Sequence, residues 1–249
     1  MYGGLVMAGL VGLAVGSFLN VVITRLPQEE PFWRGRSRCP ACGATLSWRD
    51  NIPLVSFFWL GRRCRSCRAL ISWRYPGVEL AGGVLGVALW LKFPAEPLLF
   101  AFVPFTAALV VLTVLDLEYF WLPDVITLPG AALGIILAFL LPGMDAWDSC
   151  LGALGGAAFF QGVRWLYEQL SKLRGGQGRV GMGGGDVKLL AMIGAFLGAW
   201  ALPWIILVSA LAGSVAGLFA AWRSGQGRHT PVPYGPFLAG AALLEMFWG

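Results

Sequence analysis

Of 249 residues, 57% are apolar and only 12% are charged, and the mean hydropathy is +0.72. An average soluble domain carries roughly 25% charged residues, so the composition excludes an ordinary water-soluble fold and makes lipid much of the solvent. The net charge of +5 does not point to nucleic acid: ten of the eighteen Lys and Arg residues, all arginine, are confined to the stretch from Arg25 to Arg74, a clustering that orients a chain in an anionic membrane.

Backbone facing lipid must be hydrogen-bonded internally, and the apolar runs lack the short alternation of barrel strands. The predicted fold class is therefore an all-α polytopic membrane protein of about eight transmembrane helices, with a small cytoplasmic zinc domain. The 35 glycines are spread through the apolar runs, which favours close helix contacts.

The first span is expected over residues 4–24. No basic residue precedes it and the arginine cluster follows. This places Met1 outside and the segment after Arg25 in the cytoplasm, and argues against removal as a secretory leader. Residues 25–75 form the polar domain, and residues 76–249 a transmembrane helical domain. Its spans are expected at 76–93, 97–115, 125–141 and 146–165, then, after a glycine-rich connection reaching Gly185, at 187–200, 202–222 and 234–248. The 187–200 run is short against the roughly 20 residues a bilayer asks for, so tilt, extension into Ala201 or an inner packing position is expected. Eight spans put both termini outside and leave Lys92 as the one basic residue of eighteen on that side. A seven-span arrangement would strand a terminal stretch or need a re-entrant run.

Four of the five cysteines occur as Cys39-Pro40-Ala41-Cys42 and Cys64-Arg65-Ser66-Cys67. Two close pairs separated by 21 residues can bring four thiolates to the corners of one tetrahedron, which suits structural zinc. The cytoplasm disfavours disulfides, and Arg38, Arg63, Arg65 and Arg68 lie near enough in sequence to offset the negative charge of the site. A saturated four-sulfur site has no open position for substrate. Redox thiols and unliganded packing are the competing readings, and Cys150, in an apolar run, reads as a packing residue.

The third span ends Leu115-Asp116-Leu117-Glu118, and the sixth begins Gly183-Gly184-Gly185-Asp186-Val187-Lys188. Asp116 and Asp186 are 70 positions apart, yet antiparallel helices with their polar ends on one side can place them face to face. Ionisable groups at such depth are expensive and usually functional. Two facing carboxylates that share a proton can act as general base toward water and general acid toward a peptide, which hydrolyses it with no serine or catalytic metal. Residues 175–185 hold seven glycines, a composition that does not favour a rigid helix and lets an extended substrate backbone approach. Helix capping competes as a reading of Asp186. A phosphate loop does not, since no Gly-Lys-Ser or Gly-Lys-Thr follows.

Taken together, Gly16-Ser17-Phe18-Leu19-Asn20-Val21-Val22 with Arg25-Leu26-Pro27, the paired-cysteine domain ending in Arg74-Tyr75-Pro76 and Glu79, Leu122-Pro123-Asp124, and Gly183-Gly184-Gly185-Asp186-Val187-Lys188-Leu189 resemble the type IV prepilin peptidases over nearly the whole chain. These are membrane aspartic peptidases that are also N-methyltransferases. The resemblance implies that Asp116 and Asp186 are the catalytic pair, with Asp124 in support alongside Gly183, Gly184, Gly185 and Lys188. It implies cleavage, after a glycine on the cytoplasmic side of the bacterial inner membrane, of the basic leaders of type IV prepilins or secretion-system pseudopilins. It further implies transfer of a methyl group from S-adenosylmethionine to the new terminal amine, since the long first cytoplasmic domain of bifunctional members is present.

Glu79 is a candidate partner for the amine or cofactor charge, with a packing or helix-boundary role as the alternative, and the cofactor site is otherwise unassigned. His229, the sole histidine, reads as a surface residue of a cytoplasmic segment. Lys188 reads as pairing with a carboxylate or phosphate, or as snorkelling to the headgroups. The twelve tryptophans sit mostly near span ends, where amphipathic rings are favoured. A membrane aspartic protease for another helical substrate, an ion-coupled transporter and a zinc-organised assembly module are the competing functions.

Overall fold

The computed structural model describes residues 2–33, 35–94, 96–173, 183–224 and 232–249. The glycine-rich stretch 174–182, Arg34 and His229 lie outside the described residues. Among the described residues, nine α-helices follow one another: α1 Tyr2–Arg25, α2 Val55–Trp59, α3 Arg74–Lys92, α4 Leu98–Tyr119, α5 Asp124–Leu140, α6 Ala146–Leu173, α7 Gly184–Leu197, α8 Leu202–Ser224 and α9 Gly235–Trp248. Apart from the short α2, each coincides with one of the eight apolar runs. Among the described residues, three stretches, Tyr2–Gln28, Leu98–Tyr119 and Leu202–Arg223, are helices long and apolar enough to cross a membrane. Large apolar side chains on α8, among them Leu211, Val215 and Leu218, stand exposed, as expected where lipid is the solvent.

The chain divides into two compact units, residues 1–99 and 100–249. In the first, α1 packs along α3, and the sequence reason is a pair of four-residue glycine spacings. Gly12 and Gly16 face Gly82 and the Val78–Glu79 backbone, so an added Cβ at Gly12 or Gly82 would run into the opposite main chain. Backbones this close gain dispersion where no hydrophobic effect separates helix from lipid. Asn20, buried in α1, donates to the Tyr75 carbonyl at 3.0 Å, and Arg74 reaches Thr24 at 2.8 Å, fixing the start of α3 against the end of α1.

The second unit is built around α7, the most enclosed helix. Leu189, Leu190, Met192 and Ile193 are wholly buried, with α5, α6 and α9 against them. Gly152 and Gly194 bring α6 and α7 into backbone contact, Ser149 Oγ donates to the Ala195 carbonyl at 2.6 Å, and Phe105 of α4 stacks on Phe196 at 4.5 Å.

Helix limits differ from expectation where polar residues continue a helix. α6 runs beyond residue 165 to Leu173, carried by an Arg164–Glu168 pair one turn apart at 3.1 Å. α7 begins three residues early and stops early. Gly183 is its extended N-cap (φ −67°, ψ 143°) and Gly198, at φ +82°, ends it. Gly184 and Gly185 are thus inside a helix, contrary to the expectation that the whole glycine run avoids one. The neighbours of α7 supply the stabilisation that glycine propensity withholds.

Candidate active site

Asp116 lies in the last turn of α4, 6% exposed. The helix continues past it to Tyr119, and Phe120 then takes a left-handed conformation (φ 52°) and donates its N–H to the Asp116 carbonyl at 3.0 Å. The chain runs extended through Pro123 into α5. Asp186 occupies the third position of α7, 9% exposed. It is not the N-cap, a place taken by Gly183, although a carboxylate in the first turn still complements the helix dipole. The two carboxylates belong to the same unit, and Phe105, eleven residues before Asp116 on α4, stacks on Phe196, ten residues after Asp186 on α7, so the contact between these helices sets both acids at one end of it.

A third element completes the site, and the sequence reading missed it. The N–H of Gly235, the first residue of α9, donates to Asp116 Oδ2 at 2.8 Å in a buried hydrogen bond. Tyr234 precedes it, with its hydroxyl 2.8 Å from Ser209 Oγ on α8. Gly235 has no room for a side chain, since a Cβ there would stand 2.8 Å from the carboxylate it holds. The sequence signal was Tyr234-Gly235-Pro236, a helix start with proline just inside it.

The flanking residues sort themselves by contact. Lys188 Nζ meets both oxygens of Asp124 at 2.6 Å, tying α7 to the start of α5. This is the carboxylate pairing among its readings. Gly185 faces the side chain of Leu122 in the α4–α5 connection, and a Cβ at 185 would come within 2.8 Å of Leu122 Cβ. Among the described residues, Gly184 faces the end of Arg164, and Gly183 is exposed. Glu79 belongs to the first unit, where its Oε2 accepts the N–H of Leu54 at 2.8 Å. Leu54 is itself left-handed at φ 60°, so Glu79 tethers the cysteine-bearing segment to α3.

The four cysteines converge. Their sulfurs all lie within 4.8 Å of one another, with Cys39 and Cys67 at 3.9 Å, where tetrahedral zinc–thiolate bonds of about 2.3 Å require S···S edges of roughly 3.8 Å. Each pair sits in a matching turn. Cys39 N–H bonds the Ala44 carbonyl and Gly43 N–H the Cys39 carbonyl, both at 2.9 Å; Cys64 to Ala69 and Arg68 to Cys64 repeat the pattern at 2.9 and 3.0 Å. Backbone N–H groups of Cys67 and Ser66 aimed at the Cys64 sulfur lower its pKa to about 6, while against the lowering Ala44 N–H the Cys67 and Cys39 sulfurs push Cys42 up to about 11, so the clustered thiols titrate as a set. The residues present therefore fit a structural metal. Residues 38–49 and 63–74 share Arg, both Cys, Ala, Ser, Trp and Arg at equivalent places, an internal repeat that was legible in the sequence and was not read there. Arg65 is committed to Asp50, with Nη2 at 2.6 Å and Nε at 3.0 Å. This pairing, with Ser47, holds the Asp50 carboxyl below the usual carboxylate range.

An all-helical, multi-pass membrane protein with two buried acids in one unit and a four-cysteine knuckle is thus the class that sequence and structure define. The family model of the bacterial Peptidase A24 N-terminal domain matches residues 10–93, and that of the type IV leader peptidase family matches residues 103–218. A prepilin leader peptidase/N-methyltransferase of Burkholderia pseudomallei (strain 1026b) is 37% identical over 271 residues, covering 98% of this chain and 85% of the relative. Proteins of the same name from Aeromonas hydrophila and Pseudomonas aeruginosa are 36% and 37% identical, each covering 96% of this chain and 89% of the relative. No solved structure matches. The chain belongs to the type IV leader peptidase family.

Proposed function

We propose that this chain is a membrane aspartic endopeptidase that removes the basic leader of type IV prepilins or pseudopilins after a glycine, and N-methylates the residue so exposed. The observation that supports the reading is that Asp116 and Asp186 are both buried within one unit of a chain whose relatives are prepilin leader peptidase/N-methyltransferases.

Asp116 and Asp186 share one proton, because two adjacent carboxylates do not both ionise without cost. The ionised member takes a proton from water as the water oxygen attacks the scissile carbonyl carbon. The protonated member gives its proton to the carbonyl oxygen, and a tetrahedral diol forms. Proton delivery to the leaving nitrogen then breaks the C–N bond and restores the pair. The scissile bond must leave its helix to be attacked, and the exposed main chain at Gly183 is suited to receive an extended strand. Gly235 fixes the rotamer of Asp116, Gly185 admits Leu122 beneath the start of α7, and Lys188–Asp124 ties α7 to α5.

We assign eight spans with both termini periplasmic, the acid pair at the cytoplasmic edge, and residues 25–75 as a cytoplasmic zinc domain, a topology supported by the arginine distribution. Cys39, Cys42, Cys64 and Cys67 would hold Zn2+ as a structural ion that ties together a segment with little core of its own. S-adenosylmethionine supplies, when bound, a methyl group whose leaving group is a neutral thioether. Glu79, already bonded to Leu54, serves as a tether rather than as the partner of the amine.

Product masses from a synthetic prepilin test the reading. The expected products are a leader ending in glycine and a mature chain that gains a methyl group only when the methyl donor is added. A cut elsewhere along the substrate, or ion flux without hydrolysis, would reject it.

A further inference from the structure

We infer that the cavity between the C-terminal half of α1 and the cysteine-bearing segment is the methyl-donor site, taking a sulfonium nucleoside with an amino-acid tail. The inference rests on the N-methyltransferase part of the proposed function. The cavity measures about 650 Å3, within the range of roughly 300–1,000 Å3 for small-molecule and cofactor sites. It lies wholly in the first unit, with Ser17 and Phe18 of α1 on one side and residues 32–33, 35–37, 46–48, 51 and 53 on the others.

The lining matches four recognition elements of such a donor. Phe32 and Trp33 meet edge to face at 4.9 Å and 85°, and Phe18 approaches Phe32 at 6.5 Å and 72°. Ring faces in a corner attract an onium charge that cannot be deprotonated. Trp48 also lines the cavity, with the Arg49 guanidinium over one face of its ring at 5.3 Å, and its other face offers an indole for a purine. Arg36, the charged residue of the described lining, suits the carboxylate of the tail. Ser37, Ser47 and Asn51 bring hydroxyl and amide groups suited to a ribose. A lipid chain would leave these polar groups unmatched.

Both walls are braced. Arg25, at the end of α1, donates to the carbonyls of Pro31 at 3.1 Å, Gly35 at 3.4 Å and Arg36 at 3.0 Å, clamping the aromatic loop on either side of Phe32 and Trp33. Opposite, Asp50 accepts from Ser47 Oγ at 2.6 Å and from Arg65, which lies between Cys64 and Cys67. The four-cysteine site thereby supports one wall of the pocket without taking part in chemistry. In the transfer, the lone pair of a neutral terminal amine forms the N–CH3 bond as the CH3–S pair returns to sulfur, and the nitrogen then releases a proton to water. The thioether left behind has lost the charge that the aromatic corner holds, which favours its exchange for fresh donor.

Calorimetric titration of the full-length, detergent-solubilised protein with S-adenosylmethionine and with its demethylated thioether tests the site. Trp33→Ala is expected to weaken the donor about tenfold and the thioether by less than about threefold, with Trp33→Phe restoring most of the loss. Arg36→Gln is expected to weaken both ligands alike, since they share the carboxylate. Metal content and thermal unfolding of each variant report on its fold independently of binding. Unchanged donor affinity in both Trp33→Ala and Arg36→Gln overturns the assignment, and phospholipid retained there in native mass spectra makes the cavity a lipid site. Absence of donor binding and of methylation in the unmodified protein defeats the methyltransferase reading itself. Methylation with an affinity indifferent to both variants defeats only this pocket.

Discussion

Replacing Gly235 by alanine perturbs the acid pair without removing any catalytic atom. The new Cβ would stand 2.8 Å from Asp116 Oδ2, 3.2 Å from Cγ and 3.3 Å from Cβ, whereas unstrained contacts between such atoms begin near about 3.5 Å. Either the carboxylate retreats by roughly 0.5–1 Å, or the first turn of α9 moves and the buried hydrogen bond lengthens. Overpacking of this kind costs about 1–3 kcal/mol. A misplacement of about 1 Å at reacting groups can cost on the order of a hundredfold in rate. We therefore expect kcat for prepilin cleavage to fall about 30- to 100-fold with KM nearly unchanged. Gly240→Ala is the matched control, on the same helix but with none of the described residues within 4 Å of the added atom. It should cleave normally and unfold at an equal or slightly higher temperature, since alanine is the better helix former. Cleavage by Gly235→Ala within about threefold of the unmodified rate would refute the claim that this backbone contact sets the position of Asp116.

Gly185→Ala should likewise lose most cleavage by pressing on Leu122, and Gly185→Ala combined with Leu122→Ala should recover part of it; an unrescued double variant would mean that Gly185 serves substrate rather than packing. Lys188→Met and Asp124→Asn, removing an ion pair whose members are 36% and 58% exposed, should each cost no more than about 1 kcal/mol of stability. A double-mutant cycle on cleavage should show the two effects to be non-additive. Arg68 is left-handed at φ 61°, where Gly43 stands in the other half of the repeat, so Arg68→Gly should stabilise by about 0.5–1 kcal/mol in thermal unfolding. Asp50, whose pKa is lowered in the folded protein by Arg65 and Ser47, contributes stability above its unfolded pKa of about 3.9 that is lost as pH falls through the lower folded value. Asp50→Asn should therefore lower the melting temperature at neutral pH, and the gap should close progressively below about pH 4.

The helices were legible because an apolar run in lipid has few other ways to satisfy its backbone, and the cysteine knuckle because two close pairs leave few alternatives to one metal. Helix limits were less so. Residues 166–173 are polar on one side and looked like the end of a span, but intrahelical pairing carries α6 to Leu173. Gly184 and Gly185 looked like breakers, and only the packing around α7 explains why they are helical. That Asp116 and Asp186 are both buried in one unit fits the sidedness read from the sequence. The Gly235 contact joins positions 119 apart through a main-chain N–H, which no side-chain pattern encodes. The Glu79–Leu54 tether is of the same kind. By contrast, the repeat of residues 38–49 in 63–74 was plain in the letters and would have predicted the paired turns.

The most direct test of the acid pair is a time course of synthetic prepilin processing, followed by mass spectrometry, with the unmodified protein and with Asp116→Asn and Asp186→Asn in membranes. Both variants should accumulate normally and release no leader. Steady release of a correctly cut leader by either one would show that a single carboxylate suffices, and that the two acids do not work on one peptide bond.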